Sequence, residues 1–266
     1  MAKIVRKGHR LEEEYYAIRR EQNDREERNI RTLGKIAVVL IIIYFIIVIV
    51  SVVTDIFSIV FIPLTVCMGF IWLITVMVCL SAGISGSVNT DILASGISGE
   101  RVAAEVLVNT LPDSYTVFQN VIVTHNNKKS EIDNIVVGKS GVYIVEVKNH
   151  NGHIVGNVED VHWMQHKVGR GGTPYANEMY SPVKQVGTHI YCLANYLRQN
   201  GVNTYIEGMV YFANRTCQLS LTGESVISVY ASSGSGEEQL CRRILSGNHK
   251  LDIGCINYIC ELINQL

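Results

Sequence analysis

The sequence predicts a mixed α/β domain, a sheet covered by helices, behind two membrane-spanning helices. Three observations carry that prediction. Residues 36–90 hold one charged side chain, Asp55. Beyond residue 91, runs of β-branched and aromatic residues alternate with runs of helical period. One predicted β-hairpin, from Glu131 to Lys148, places two carboxylates and a lysine on one face.

The N-terminal 35 residues carry ten Lys/Arg and seven Asp/Glu, a net charge of +3. Glu21 with Arg25, Asp24 with Arg28 and Glu27 with Arg31 are acid-before-base pairs four residues apart, which predicts an exposed charged helix over 9–33. Such a helix suits a protein partner or lipid headgroups, or stands simply as a solvated segment beside a membrane. Residues 36–53 and 56–80 then lack charge entirely. A helix of roughly 20 apolar residues crosses the hydrocarbon of a bilayer, so the two runs predict a transmembrane hairpin turning at Thr54-Asp55. The leading segment is too long for the n-region of a signal peptide. Positive charge before the first span puts the N-terminus on the cytoplasmic side, and two spans return the chain there. The expectation is a multi-pass protein of the cell (inner) membrane with its C-terminal domain cytoplasmic. Seven cysteines without a C-x-x-C pair then read as free thiols.

Residues 81–98 are rich in Ser and Gly and predict a linker. The folded domain is expected at 99–266, where thirteen Lys/Arg and sixteen Asp/Glu give a slight acidic excess from residue 91 onward. Glu100–Leu111 predicts a helix with Val102, Val106 and Leu107 inward, ended by Pro112. Tyr115–Thr124 predicts a strand, and the hairpin follows. Asn149–Gly156 reads as a turn, and Val158–His166 is ambiguous. Lys167–Ser181, with three glycines and a proline, predicts a flexible loop. Pro182–Asn200 predicts a helix with Pro182 in its first turn and Gly201 beyond its end. Strands follow at Tyr205–Phe212 and Ser225–Tyr230, then helices at Glu237–Leu245 and Ile253–Leu266.

The hairpin carries the chemistry. With Gly138-Lys139-Ser140-Gly141 as its loop, Val137 faces Val142 and Asp133 falls opposite Glu146. Lys148, two residues on, shares the face of Glu146. Facing acids destabilise a hairpin unless a cation lies between them. The alternative is a polar strand end in which Glu146 and Lys148 neutralise each other. His162 and His166 are four residues apart and would suit Zn²⁺ only on a helix. His189, one helical turn after Gln185, either faces the same site or lies on the helix surface.

An ordered set of motifs strengthens the first reading. Gly96-Ile97-Ser98-Gly99-Glu100, Glu131-Ile132-Asp133, Gly141–Asn149 with Glu146-Val147-Lys148-Asn149, then Gly152, Trp163 and Ser181-Pro182-Val183-Lys184-Gln185 follow one another. This series resembles the nuclease-related domain (NERD) of the PD-(D/E)xK superfamily, with Ser181 where that family has Asn. The resemblance implies a restriction-endonuclease-like fold, a mixed sheet flanked by helices. It implies that Asp133, Glu146, the Val147 carbonyl and Glu100 hold Mg²⁺ or Mn²⁺. Lys148 and Gln185 would complete the catalytic set, with Glu105 an alternative to Glu100. The expected partners are DNA before RNA, the lipid bilayer, and a second copy or membrane partner through residues 1–80. Lys128, Lys129, Lys139, Lys167 and Arg170 are the candidate nucleic-acid contacts. The function expected is a membrane-anchored, metal-dependent nuclease or phosphodiesterase at the cytoplasmic face, suited to defence against foreign DNA. The alternative is an inactive nucleic-acid- or protein-binding scaffold on the same fold.

Overall fold

The computed structural model describes residues 1–7, 10–53, 67, 69–71, 74, 87–126, 128–169 and 171–266. They divide into two units, Met1–Leu11 with Ser95–Leu266, and Glu12–Ala94.

The second unit is built on helix α1 (Arg10–Val53). The expected pairs form at Glu21–Arg25, 3.7 Å, and Glu27–Arg31, 3.3 Å, all four side chains exposed. Among the described residues no helix is long and apolar enough to cross a membrane. The transmembrane hairpin expected at 36–53 and 56–80 is therefore not found there. Residues 36–53 continue α1, and 56–80 lie almost wholly outside the described residues.

The expected linker at 81–98 needs a similar correction. From Ser87 it is helical, as the first part of α2 (Ser87–Thr110). Each Ser or Gly weakens a helix by no more than about 1 kcal/mol, and tertiary contacts override that. Here Asn149 Nδ2 donates to the Ser95 carbonyl at 2.7 Å, and Gly99 packs so close that a Cβ would meet Asn149 Cβ at 2.6 Å. The buried ridge of α2 is Ala103 and Leu107, continued by Leu111 just past its end. Val102, expected inward, is exposed.

A six-stranded mixed sheet forms the centre, in the order β1-β2-β3-β4-β8-β10. Its strands are β1 (Lys3–Arg6), β2 (Thr116–His125), β3 (Lys128–Gly138), β4 (Gly141–Lys148), β8 (Ile206–Phe212) and β10 (Ser228–Ala231). Helices α3 (Pro182–Gln199) and α5 (Ile253–Gln265) cover one face, packing on Phe118, Val121, Ile132, Ile144 and Val210. Helices α2 and α4 (Gly236–Leu245) cover the other, on Val117, Val136, Tyr143, Val145 and Met209. The edge strand β1 was not foreseen. Its four residues pair parallel with β2, a non-local contact that local pattern does not encode.

A second sheet, β7-β6-β5-β9, corrects the expected turn and loop. Gly152–Asn157 is β5, His162–Val168 β6, Pro174–Tyr180 β7 and Cys217–Thr222 β9. The Gly-rich stretch is only the turn between β6 and β7. Trp163 anchors this sheet, 1% exposed, with Nε1 donating to the Asn157 carbonyl at 2.8 Å. The described cysteines are all free thiols.

Gly138 closes the β3–β4 turn against Tyr115. A Cβ there would lie 2.1 Å from the Tyr115 ring. That ring is fully buried, and its hydroxyl is held by Ser140 Oγ at 2.9 Å. Gly138→Ala is expected to destabilise the chain by about 1–3 kcal/mol, read as a lower urea midpoint with unchanged slope. An unshifted midpoint would mean that the ring yields freely.

Candidate active site

The hairpin register is the one its turn residues dictate. Val137 pairs with Val142, and pairing runs out to Asn134 with Val145. The next step brings Asp133 to Glu146, and there the ladder ends. Instead, the Val147 N–H donates to Asp133 Oδ2 at 2.7 Å.

Side-chain alternation slips at the same level. Phe118 and Val121, three residues apart, both enter one core, as do Ile135 and Ile132 opposite them. Asn120 sits at the slip with φ +53°, a left-handed conformation that asparagine accepts more readily than most residues. Its Nδ2 donates to Glu100 Oε2 at 3.1 Å. The irregularity thus turns Asp133 along the strand end and holds the α2 glutamate beside it. Distortions of this kind commonly re-aim side chains at functional sites.

Glu146 is 1% exposed. Its Oε1 accepts from Lys148 Nζ at 2.8 Å, and the same ammonium donates to Gln185 Oε1 at 2.9 Å. Gln185 gets there through the start of α3. Ser181 is the N-cap, its side chain accepting from the Lys184 N–H, and Pro182 fixes the first turn. Four residues later on the same face, His189 Nε2 lies 3.2 Å from Glu146 Oε2, and its Nδ1 lies 2.6 Å from Ser130 Oγ. His189 therefore faces the site. Ser130 and Asn120 were missed from the sequence. Asn120 inside an apolar run was a usable signal for a backbone irregularity, whereas Ser130 gave none.

The charges respond to this crowding. Burial, then the nearby Glu146 carboxylate, pushes the Asp133 carboxyl well above the ordinary aspartate value. Burial pushes Glu146 upward too, but the closeness of His189 and Lys148 outweighs it and holds that carboxyl below the ordinary value. Burial works against the Lys148 ammonium, yet Glu146 and Asp133 raise it above the ordinary lysine value. Lys148 is thus a fixed cation and not a base at neutral pH.

The other candidates scatter. Glu105 is exposed, while Glu100 reaches Asn120. Lys139 lies in the β3–β4 turn, about 23 Å along β4 from Lys148, and so stands away from the acids. Lys129 is exposed near the start of β3, and Lys128 is in the same strand. Arg170 lies outside the described residues. Lys167, on β6, acts on His150 together with Lys148, which puts its charge at the rim of the site. The Zn²⁺ option at His162 and His166 fails. Four residues along a strand separate them by about 13 Å, too far for one ion.

A divalent cation is tested by what the buried atoms lack. Among the described residues no three His, Cys, Asp or Glu side chains gather as a complete protein-built metal centre. Mg²⁺ does not need one, since it uses one or two carboxylates and keeps several waters. Glu146 Oε2 is buried with no hydrogen-bond partner among the described residues. An orphaned carboxylate oxygen beside a second acid fits such an ion.

Comparison with known proteins agrees with the motif reading. Residues 95–213 match the nuclease-related domain family. The match supports that family and points toward nuclease function. The chain is also similar to an uncharacterized protein of Bacillus anthracis, 38% identical over 71 residues, covering 26% of this chain and 34% of that protein. The chain thus spans about a third of that relative's length. No solved structure matches it.

His150 senses the charges at the rim of the site. Burial first, then the charges of Lys148 and Lys167, lowers its imidazole to about 4. A histidine lowered on folding contributes stability that is present above about pH 6.5 and lost as pH falls toward 4. NMR titration should find His150 neutral down to about pH 4. Lys167→Ala should raise that midpoint toward the ordinary value, and an unchanged midpoint would remove Lys167 from the rim.

Proposed function

We propose that this chain is a membrane-anchored, divalent-metal-dependent nuclease that hydrolyses phosphodiester bonds of DNA at the cytoplasmic face. One observation carries the chemistry. Asp133, Glu146, Lys148 and Gln185 converge from two strands and one helix, with an orphaned carboxylate oxygen among them. Asp133, Glu146, the Val147 carbonyl and Glu100 would hold Mg²⁺ or Mn²⁺, whose charge acidifies water and offsets that of a phosphate. Lys148 uses two of its three donors on Glu146 and Gln185. The third is available to a phosphate oxygen or the attacking water. Gln185 fixes the lysine and so sets where that donor points. Lys167 and Lys129 would meet the flanking phosphates.

The anchor rests on composition and exposure. One charged residue in 36–90 is what a lipid-buried pair of helices requires. In α1, Val39, Ile42, Ile43, Phe45, Ile46 and Ile49 are all exposed, a stripe that water penalises and lipid accepts. Alkaline carbonate washing of membranes should leave the full chain in the pellet. Release into the supernatant would sink the anchor. A nuclease held at that face suits action on foreign DNA.

The rival is a non-catalytic scaffold, favoured by the slight acidic excess from residue 91 onward. Full-length protein in detergent, given linear and circular DNA with Mg²⁺ or Mn²⁺, should cut. Lys148→Ala should slow cutting by about 10²-fold or more. Cutting that persists unchanged in that variant would refute the site. Failure to cut DNA or a parallel RNA substrate would favour the scaffold.

A further inference from the structure

The face of the second sheet that buries Trp163 and Gln165 continues past the core. Lys167 follows Gln165 by two residues on β6 and so shares that face. Tyr175 on β7 pairs directly with Lys167, as Met179 pairs with Trp163, and opposed residues point the same way. At this end the face opens to solvent. Lys167 is half-buried, and Tyr175 is 45% exposed. The turn beside them is closed by its own backbone. The Gly169 N–H donates to the Thr173 carbonyl and the Gly172 N–H to the Gly169 carbonyl, each at 2.9 Å. Gly169 lies beside the Tyr175 ring, where a Cβ would come within 3.8 Å of it. A closed turn thus carries a large ring that water touches, on the inward face of the hairpin.

From this we infer that Tyr175 is a stacking platform for an unpaired base of the substrate strand, with Lys167 on the phosphate beside it. The inference rests on the nuclease reading and names its substrate class, nucleic acid that is single-stranded at the site. Position comes from the chain itself. The stem of Lys167 passes over Gly152, 3.3 Å from where a Cβ would be, and Gly152 follows Lys148 by four residues. Lys167 and Lys148 both bear on His150 between them. Tyr175 lies two strands from Gly152, about 10 Å away. A strand whose phosphate meets Lys148 therefore has its next cation at Lys167 and a ring directly alongside. Cation and ring together are what an unpaired strand uses, because every base has a face to stack. In a duplex those faces are already stacked on one another, and a base must first be drawn out. The charge balance points the same way. Thirteen Lys/Arg against sixteen Asp/Glu from residue 91 onward limit what phosphate contacts alone can supply, and a stacked base adds affinity without charge.

The test is binding by the full-length protein in detergent, with Ca²⁺ in place of Mg²⁺ so that binding is read apart from cutting. A fluorescein-labelled DNA oligonucleotide, single-stranded or annealed to its complement, is followed by anisotropy. Tyr175→Ala should weaken the single strand about tenfold and the duplex less than about twofold. Tyr175→Trp should hold the single strand at least as well as the wild type, and Tyr175→Leu should not. Lys167→Ala should weaken both forms and lower the salt dependence of binding by about one charge. Equal losses on both forms in Tyr175→Ala, or no loss on either, would overturn the stacking role. Metal-dependent cutting by the wild type would in that case leave the nuclease reading intact. A wild type that binds neither form and cuts neither would remove both.

Discussion

The structure turns on burying one carboxylate. Glu146 lies two residues before the end of β4, flanked on its own strand by Val145 and Val147, with 1% of its surface in water. An unpaired charge so placed would cost several kcal/mol. Everything around it answers that cost. Lys148 comes back along the same face of the same strand to share Oε1. Gln185 holds the lysine from the start of α3, and His189 stands over Oε2 one turn further along. The first turn of α3 must therefore be fixed, which explains a fully buried serine N-cap followed by proline. Replacing Ser181 or Pro182 would act on the carboxylate through the helix that serves it.

A second constraint brings the remaining acids in. A regular β2–β3 ladder would keep strict alternation, and Asp133 would simply face its cross-strand neighbour. The slip at Asn120 breaks alternation in both strands at one level, and the Val147 N–H takes Asp133 Oδ2 as acceptor. The same asparagine holds Glu100, which belongs to a helix on the opposite face of the sheet. That helix comes close enough because residue 99 lacks a Cβ and Asn149 clamps Ser95. The motif residues Gly99, Glu100, Asp133, Glu146, Lys148 and Asn149 are thus one mechanical unit. Each places the next at the strand end.

Much of this was legible because it is local. Four turn-forming residues fixed the hairpin register, and register alone brought Asp133 toward Glu146. Helix α3 was visible from its proline and its terminal glycine. What was hidden depends on non-local contacts. Strand β1 exists only because β2 offers a free edge 113 residues away in sequence. The Ser/Gly stretch before residue 99 is helical because Asn149 and the sheet hold it, against its own propensity. The strands of the second sheet pair with one another, β5 with β9 65 residues on, so glycines that read as loop became turns and strand interiors. Ser130 carried no signal, since its only distinction is the imidazole that a later helix brings to it.

The two acids are not equivalent, and that asymmetry bears on what the site is for. Glu146 has its charge answered by protein cations and dipoles, so its carboxyl stays low. Asp133 is pushed the other way, by burial and by Glu146 itself, with only a backbone N–H and a distant share of Lys148 in compensation. A purely structural strand end gains nothing from a second, half-buried acid whose charged form is disfavoured. Asparagine would take the same Val147 N–H without the repulsion. The divalent cation proposed above would bring Asp133 the positive charge that Lys148 and the Val147 N–H supply only in part. On the proposed metal reading, Lys148 answers Glu146 at Oε1 and a cation would add charge beside the same carboxylate. Asp133 would then be the residue whose ionisation is tied to that ion.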